Sequence, residues 1–146
     1  MTKRPYFTSD LFSFLSDLRR HNERGWFEQN KRRYEAIARD PALKFIADIG
    51  PRLAKISPYF VADPRPVGGS MMRIYRDIRF SEDKTPYKTG IGMHFWHQAT
   101  NKGVGPAFYL HLEPRGCIAG GGIWRPDSIA LKKFETVLQR TERREP

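Results

Sequence analysis

The stretch "PAFYLHLEPRGCIAGGGIW", residues 106–124, decides how the second half of this chain is read. Phe108, Leu110 and Leu112 alternate with Tyr109, His111 and Glu113. That period of two belongs to a strand with one greasy face and one polar face. Pro114-Arg115-Gly116 breaks the pattern, and strand character resumes over 116–124, so 106–113 and 116–124 read as a hairpin. The glycines at 120–122 are poor strand formers and need a reason: either something packs very close to them, or the strand bends.

The same period extends upstream. In 89–97, Ile91, Met93 and Phe95 oppose His94 and Trp96. In 71–79 and just beyond it, Met72, Ile74, Arg76, Ile78 and Phe80 oppose Met71, Arg73, Tyr75, Asp77 and Arg79. Paired strands of this kind would collect Arg73, Tyr75, Asp77, Arg79, His94, Trp96, Tyr109, His111 and Glu113 on one face, the aromatic-and-polar mixture that binding sites use. Arg76 is the oddity, a guanidinium on the apolar side. It must find a carboxylate or carbonyls, and Asp77 points the other way.

Before residue 57 the period is helical. Ser9 or Thr8 can cap a helix carrying Leu11, Phe14, Leu15 and Leu18. Asn22 can cap a second, with Trp26, Phe27, Asn30, Tyr34 and Ile37 on its inner stripe. Asp40-Pro41 reads as the start of a third that runs to about Ile56, interrupted or kinked at Gly50-Pro51. Residues 57–70, rich in proline and glycine, form a connection. A last helix over 127–141 carries Ile129, Leu131, Phe134, Val137 and Leu138. Helices first and antiparallel strands second imply an α+β fold: N-terminal helices packed on one face of an antiparallel sheet, plus a C-terminal helix. The 146 residues suit one domain, 1–146, mainly helical over 1–56 and mainly strand over 71–124.

Aromatic residues at 13% supply a core without staples. The single cysteine, Cys117, excludes an internal disulfide, reads as a small buried residue, and fits a reducing, cytoplasmic setting. No run approaches a membrane span, and the N-terminus lacks the pattern of a secretory signal.

The charge is +10, 26 cations against 16 carboxylates, so a polyanionic partner is physically reasonable. Residues 19–39 hold seven cations and three carboxylates; residues 71–88 hold five and three.

The run 73–88, "RIYRDIRFSEDKTPYK", is similar to a family signature, R-x-x-R-D-x-R-F-x-x-D-K-x-x-Y, through Arg73, Arg76, Asp77, Arg79, Phe80, Asp83, Lys84 and Tyr87. The chain resembles the DUF2461 family there and in two more places. One is Asn22, Arg24, Trp26, Phe27, Asn30, Lys31 and Tyr34. The other is the Tyr-bearing strand followed by Gly-Gly-Gly-x-Trp. Members of that family generally carry further helical sequence, so the resemblance implies a C-terminally short member. It implies neither a reaction nor a cofactor.

Two readings of the charged run stay open. Arg73, Arg79, Lys84 and Lys88 could hold a small anion, with Asp77 as an orienting carboxylate or base and Tyr87 as a hydrogen-bonder. Alternatively Asp77, Glu82 and Asp83 neutralise them in an internal network. The competing function is nucleic-acid association through Arg19, Arg20, Arg24, Lys31, Arg32, Arg33 and Arg39, with Tyr75, Trp96 and Tyr109 available to stack bases. His94, His111, Glu113 and Asp77 lack the close spacing of a metal site. No nucleophile elbow or phosphate loop is present.

Overall fold

A computed structural model describes residues 3–100 and 104–142. Helix α1 spans Ser9–Arg20 and is capped by Thr8, whose hydroxyl accepts the Asp10 N–H. Its inner stripe, Leu11, Phe14, Leu15 and Leu18, is fully buried. Helix α2 spans Arg24–Tyr34, α3 spans Asp40–Ile56, and a π turn, Glu35–Arg39, joins them.

The expected break at Asp40-Pro41 is therefore absent: helical backbone continues from Arg24 to Ile56. Proline has no N–H to return to the preceding turn. The backbone widens ahead of it instead, and the Asp40 N–H reaches five residues back to Glu35. Arg39 braces the turn through Glu35 at 2.7 Å and Asp40 at 2.9 Å. Pro51 likewise lies inside α3 without interrupting it.

Strands β1 (Ile91–Trp96), β2 (Pro106–Glu113) and β3 (Gly116–Ile123) form an antiparallel sheet in that order. The register sets Ile91, Met93 and Phe95 opposite Leu112, Leu110 and Phe108, and those opposite Cys117, Ala119 and Gly121. This face meets the N-terminal helices: Ile91, Met93, Phe95 and Leu112 share one core with Leu11, Phe14, Leu15, Leu18, Phe27, Ala38, Ala42 and Ile46. The fold is α+β, as the order of elements implies.

Residues 71–79 do not form a strand. They make two single bridges, Met71 to Met93 and Tyr75 to Tyr87. Four residues separate Met71 from Tyr75, but six separate Tyr87 from Met93, so the register slips and no ladder can run through. The expected apolar set disperses with it: Ile74 is buried, while Met72 and Phe80 are exposed, Phe80 at 94%.

Asn22 does not cap α2. Glu23 occupies that position without a side-chain bond. The Asn22 amide instead donates to the Tyr87 carbonyl at 2.9 Å and accepts the Tyr87 N–H at 3.0 Å. Phe27 stacks on the Tyr87 ring with centroids 4.2 Å apart, and Tyr34 and Tyr75 pack around the pair.

The periphery is open. Helix α4 spans Ser128–Glu142, and Ile129, Phe134 and Val137 on it are exposed. Cys117, expected inside, is also exposed: it sits on the edge strand, beyond the reach of the helical layer.

Replacing Asn22 by Ala removes both bonds to the Tyr87 peptide and leaves a part-buried N–H and C=O unpaired, at a cost of about 1–3 kcal/mol. Urea unfolding should show a lower midpoint at unchanged slope; an unchanged midpoint would contradict the clamp.

Burial pushes the Tyr34 phenol up to about 12, with the charges of Tyr75 and Glu35 adding and Arg39 opposing. The neutral phenol is the folded form. Its contribution is complete below the ordinary tyrosine value near 10 and is lost as pH rises from there through about 12. Tyr34→Phe should therefore flatten the loss of stability between pH 10 and 12, followed by circular dichroism, while changing little near pH 8.

Candidate functional site

The sheet face turned away from the helices carries Gly92, His94 and Trp96 from β1. Tyr109, His111 and Glu113 come from β2, and Ile118, Gly120 and Gly122 from β3. The pleat thus gathers His94, Trp96, Tyr109, His111 and Glu113 as their alternation implies. It does not bring Arg73, Tyr75, Asp77 and Arg79 onto the same strands, because the 71–79 segment breaks before it can pair.

A hollow of about 680 Å³ opens on this face, lined by Met72, His94, Tyr109, Gly120, Gly122 and Trp124 among others. The glycine run explains it. Gly121 faces the helical layer, where a Cβ would come within 3.0 Å of the Phe108 ring. Gly120 and Gly122 face the other way, and a Cβ on either would meet nothing within 4 Å. The middle glycine admits an aromatic neighbour, and the outer two leave the floor bare. Gly92 makes room for one wall: a Cβ there would lie 2.8 Å from the Met72 sulfur and 3.5 Å from the Tyr109 hydroxyl.

Along β2 the polar groups touch. The Tyr109 hydroxyl lies 3.1 Å from His111 Nδ1, and His111 Nε2 lies 3.4 Å from a Glu113 carboxylate oxygen. The imidazole rests on Gly90, where a Cβ would come within 2.6 Å of the ring. Burial, reinforced by the Glu113 charge, holds the Tyr109 phenol above the usual tyrosine value.

The charged run closes largely on itself. Arg79 grips Asp77 through two bonds of 2.9 and 2.7 Å, which hold the Asp77 carboxyl below its usual range. Arg76 reaches the Asp83 carboxylate at 2.7 Å and the Thr85 carbonyl at 3.2 Å, the acceptors its position demands. Lys84 donates to the Ile78 carbonyl at 2.8 Å. Tyr87 is 2% exposed beneath Phe27. Arg73 makes no ion pair among the described residues, and Lys88 donates to the Arg73 carbonyl at 2.6 Å. Burial and the Arg73 charge together push the Lys88 amine below its usual value. None of Arg73, Asp77, Arg79, Lys84 and Tyr87 lines the hollow. Met72 and Trp124, which do, lie beyond the three strands, and only the glycine run hinted at the space between them.

The model of the family described as conserved hypothetical protein (DUF2461) matches residues 10–144. The chain belongs to the DUF2461 family. In this DUF2461 chain the matched segment runs from α1 through α4 and so includes the helical layer, the charged run and the hollow. No match was found among curated proteins or among solved structures. Among the described residues no cluster of histidine, cysteine and carboxylate side chains is placed to hold a metal ion, and no helix is long and apolar enough to cross a membrane.

Because a side chain at Gly120 enters open space, Gly120→Val should leave the urea midpoint unchanged or raise it, as strand propensity favours valine. Gly121→Val forces the Phe108 ring aside and should lower the midpoint, reflecting a loss of about 1–3 kcal/mol of stability. Equal effects at the two positions would contradict the assignment of faces.

Proposed function

We propose that this protein binds a small, flat, mainly apolar molecule carrying a hydrogen-bonding group on the open face of its sheet. The observation that carries the reading is the hollow of about 680 Å³, floored by the backbone of Gly120 and Gly122 between Trp124 and the His94–Tyr109 pair. A bare peptide floor admits a planar ring, aromatic walls enclose it, and convergent polar atoms fix its orientation. The test is titration with indole and 4-nitrophenol followed by amide NMR. Shifts should gather at His94, Tyr109, Gly120 and Trp124, and Gly120→Val should weaken binding at least about tenfold. Shifts confined to α4, or equal binding by the variant, would overturn the reading.

One observation favours a second, anionic ligand class. Arg73 forms no salt bridge among the described residues, although its charge reaches Asp77, and burial together with the Arg73 charge depresses the Lys88 amine. An anion between them would relieve that repulsion. Inorganic phosphate should raise the Lys88 titration midpoint, and Arg73→Ala should abolish that response. The nucleic-acid alternative has less free charge to draw on than the composition suggests: Arg20 and Arg33 both close on Asp17, and Arg39 on Glu35 and Asp40. An exposed thiol at Cys117 supports placement in a reducing compartment such as the cytoplasm.

A further inference from the structure

The hollow has a chemistry beyond shape. Tyr109, His111 and Glu113 occupy alternate positions on β2 and so share its open face. The Tyr109 hydroxyl is hydrogen-bonded to Nδ1 at 3.1 Å, and the Glu113 carboxylate lies 3.4 Å from Nε2 as an electrostatic neighbour. Only the first of them, Tyr109, lines the hollow. The near-parallel rings of Tyr109 and His111, 14° apart, keep the hydroxyl beside the ring nitrogen. Gly90 holds the imidazole from behind, since any side chain there would overlap it. We propose that Glu113, His111 and Tyr109 form a proton relay, with the Tyr109 hydroxyl as the acid–base group presented to a molecule in the hollow. The proposal rests on the reading of the hollow as a small-molecule site.

The charge of Glu113 sets the direction of the Tyr109 bond. An ionised carboxylate 3.4 Å from Nε2 favours the neutral tautomer that carries its proton there and leaves Nδ1 bare. Tyr109 must then donate to Nδ1, and its oxygen shows the hollow only lone pairs. When His111 takes a second proton, Nδ1–H donates to the Tyr109 oxygen, and the phenolic O–H is released toward the hollow. Proton delivery follows from that state. The Tyr109 O–H bond breaks as a basic atom of the bound molecule gains the proton. The His111 Nδ1–H bond breaks as the phenolic oxygen regains one. His111 ends neutral, Glu113 remains ionised, and no electron is transferred. The reverse sequence removes a proton from the bound molecule. A phenol held neutral by burial and by Glu113 suits this role, because it conducts the proton without storing it. Among the described residues, His94, opposite Tyr109 on β1, is a further titratable group facing the relay; Ile118 and Gly120 face it from β3 and Met72 from the preceding segment.

The test uses the full chain with nitrogen-15-labelled histidine and 4-nitrophenol as the probe. The chain has four histidines, and His111→Gln assigns the signal. Neutral His111 should be protonated on Nε2, and Glu113→Gln should shift the neutral ring measurably toward the Nδ1-protonated tautomer, read from its two nitrogen-15 shifts. Bound 4-nitrophenol should ionise about one pH unit lower on the wild-type protein than on Tyr109→Phe or His111→Gln, since the charged relay donates to its phenolate. A neutral ring protonated on Nδ1, or a tautomer balance indifferent to Glu113→Gln, overturns the relay. A probe midpoint identical in all three proteins overturns its delivery to the hollow. If 4-nitrophenol fails to bind the wild-type protein, or binds Gly120→Val equally well, the small-molecule reading fails, and the imidazole signals alone uphold or refute the relay.

Discussion

Asn22 commits both halves of its amide to one peptide unit, the N–H and C=O of Tyr87, 65 residues along the chain. It stands where a strand would stand and substitutes for the missing ladder. Phe27, on the next turn, then stacks on the ring that the amide holds in place. Together they fasten the run 73–88 to the helical layer. That run contains no regular secondary structure to hold itself. Remove the fastening and Tyr75, Tyr87 and Ile74 lose their cover, and the segment that brings Met72 over β1 loses its anchor. The helical layer and the charged run meet at this one peptide.

Once the run is fastened, its charges can settle locally. Arg76, Arg79 and Lys84 each find an acceptor within the same loop. Such exposed pairs add little stability, because water screens them. They do define the shape of a loop that has no ladder. Arg73 stands apart from these pairs: it lies beside Lys88, whose amine its charge helps to depress.

Much of the fold is legible where the sequence offers a clean period. Leu11, Phe14, Leu15 and Leu18 after a Thr8 cap can only be an amphipathic helix, and β2–β3 follows from strict alternation around Pro114-Arg115-Gly116. The run 71–80 shows the same alternation and yet is not a strand, because period alone does not report the register of a partner, and here the partner slips. Asp40-Pro41 has the chemistry of a helix start, but a π turn satisfies the same residues without stopping the helix. Asn22 as a cap and Asn22 as a clamp look alike until its partner across the chain is known. Of the site, the polar groups on β1 and β2 are readable from the pleat. The hollow is not, since Met72 and Trp124 reach it from outside the strands and its floor is made by side chains that are absent.

For the small-molecule site proposed here, a floor of peptide backbone would bear on selectivity. Side chains can change rotamer to suit a guest; Gly120 and Gly122 have none to change. The base of the cavity is as stiff as the hydrogen-bonded ladder to β2 that holds it, whereas the thioether of Met72 and the exposed indole of Trp124 can swing. Molecules would thus be sorted by thickness against a rigid bed and accommodated in outline by pliant sides.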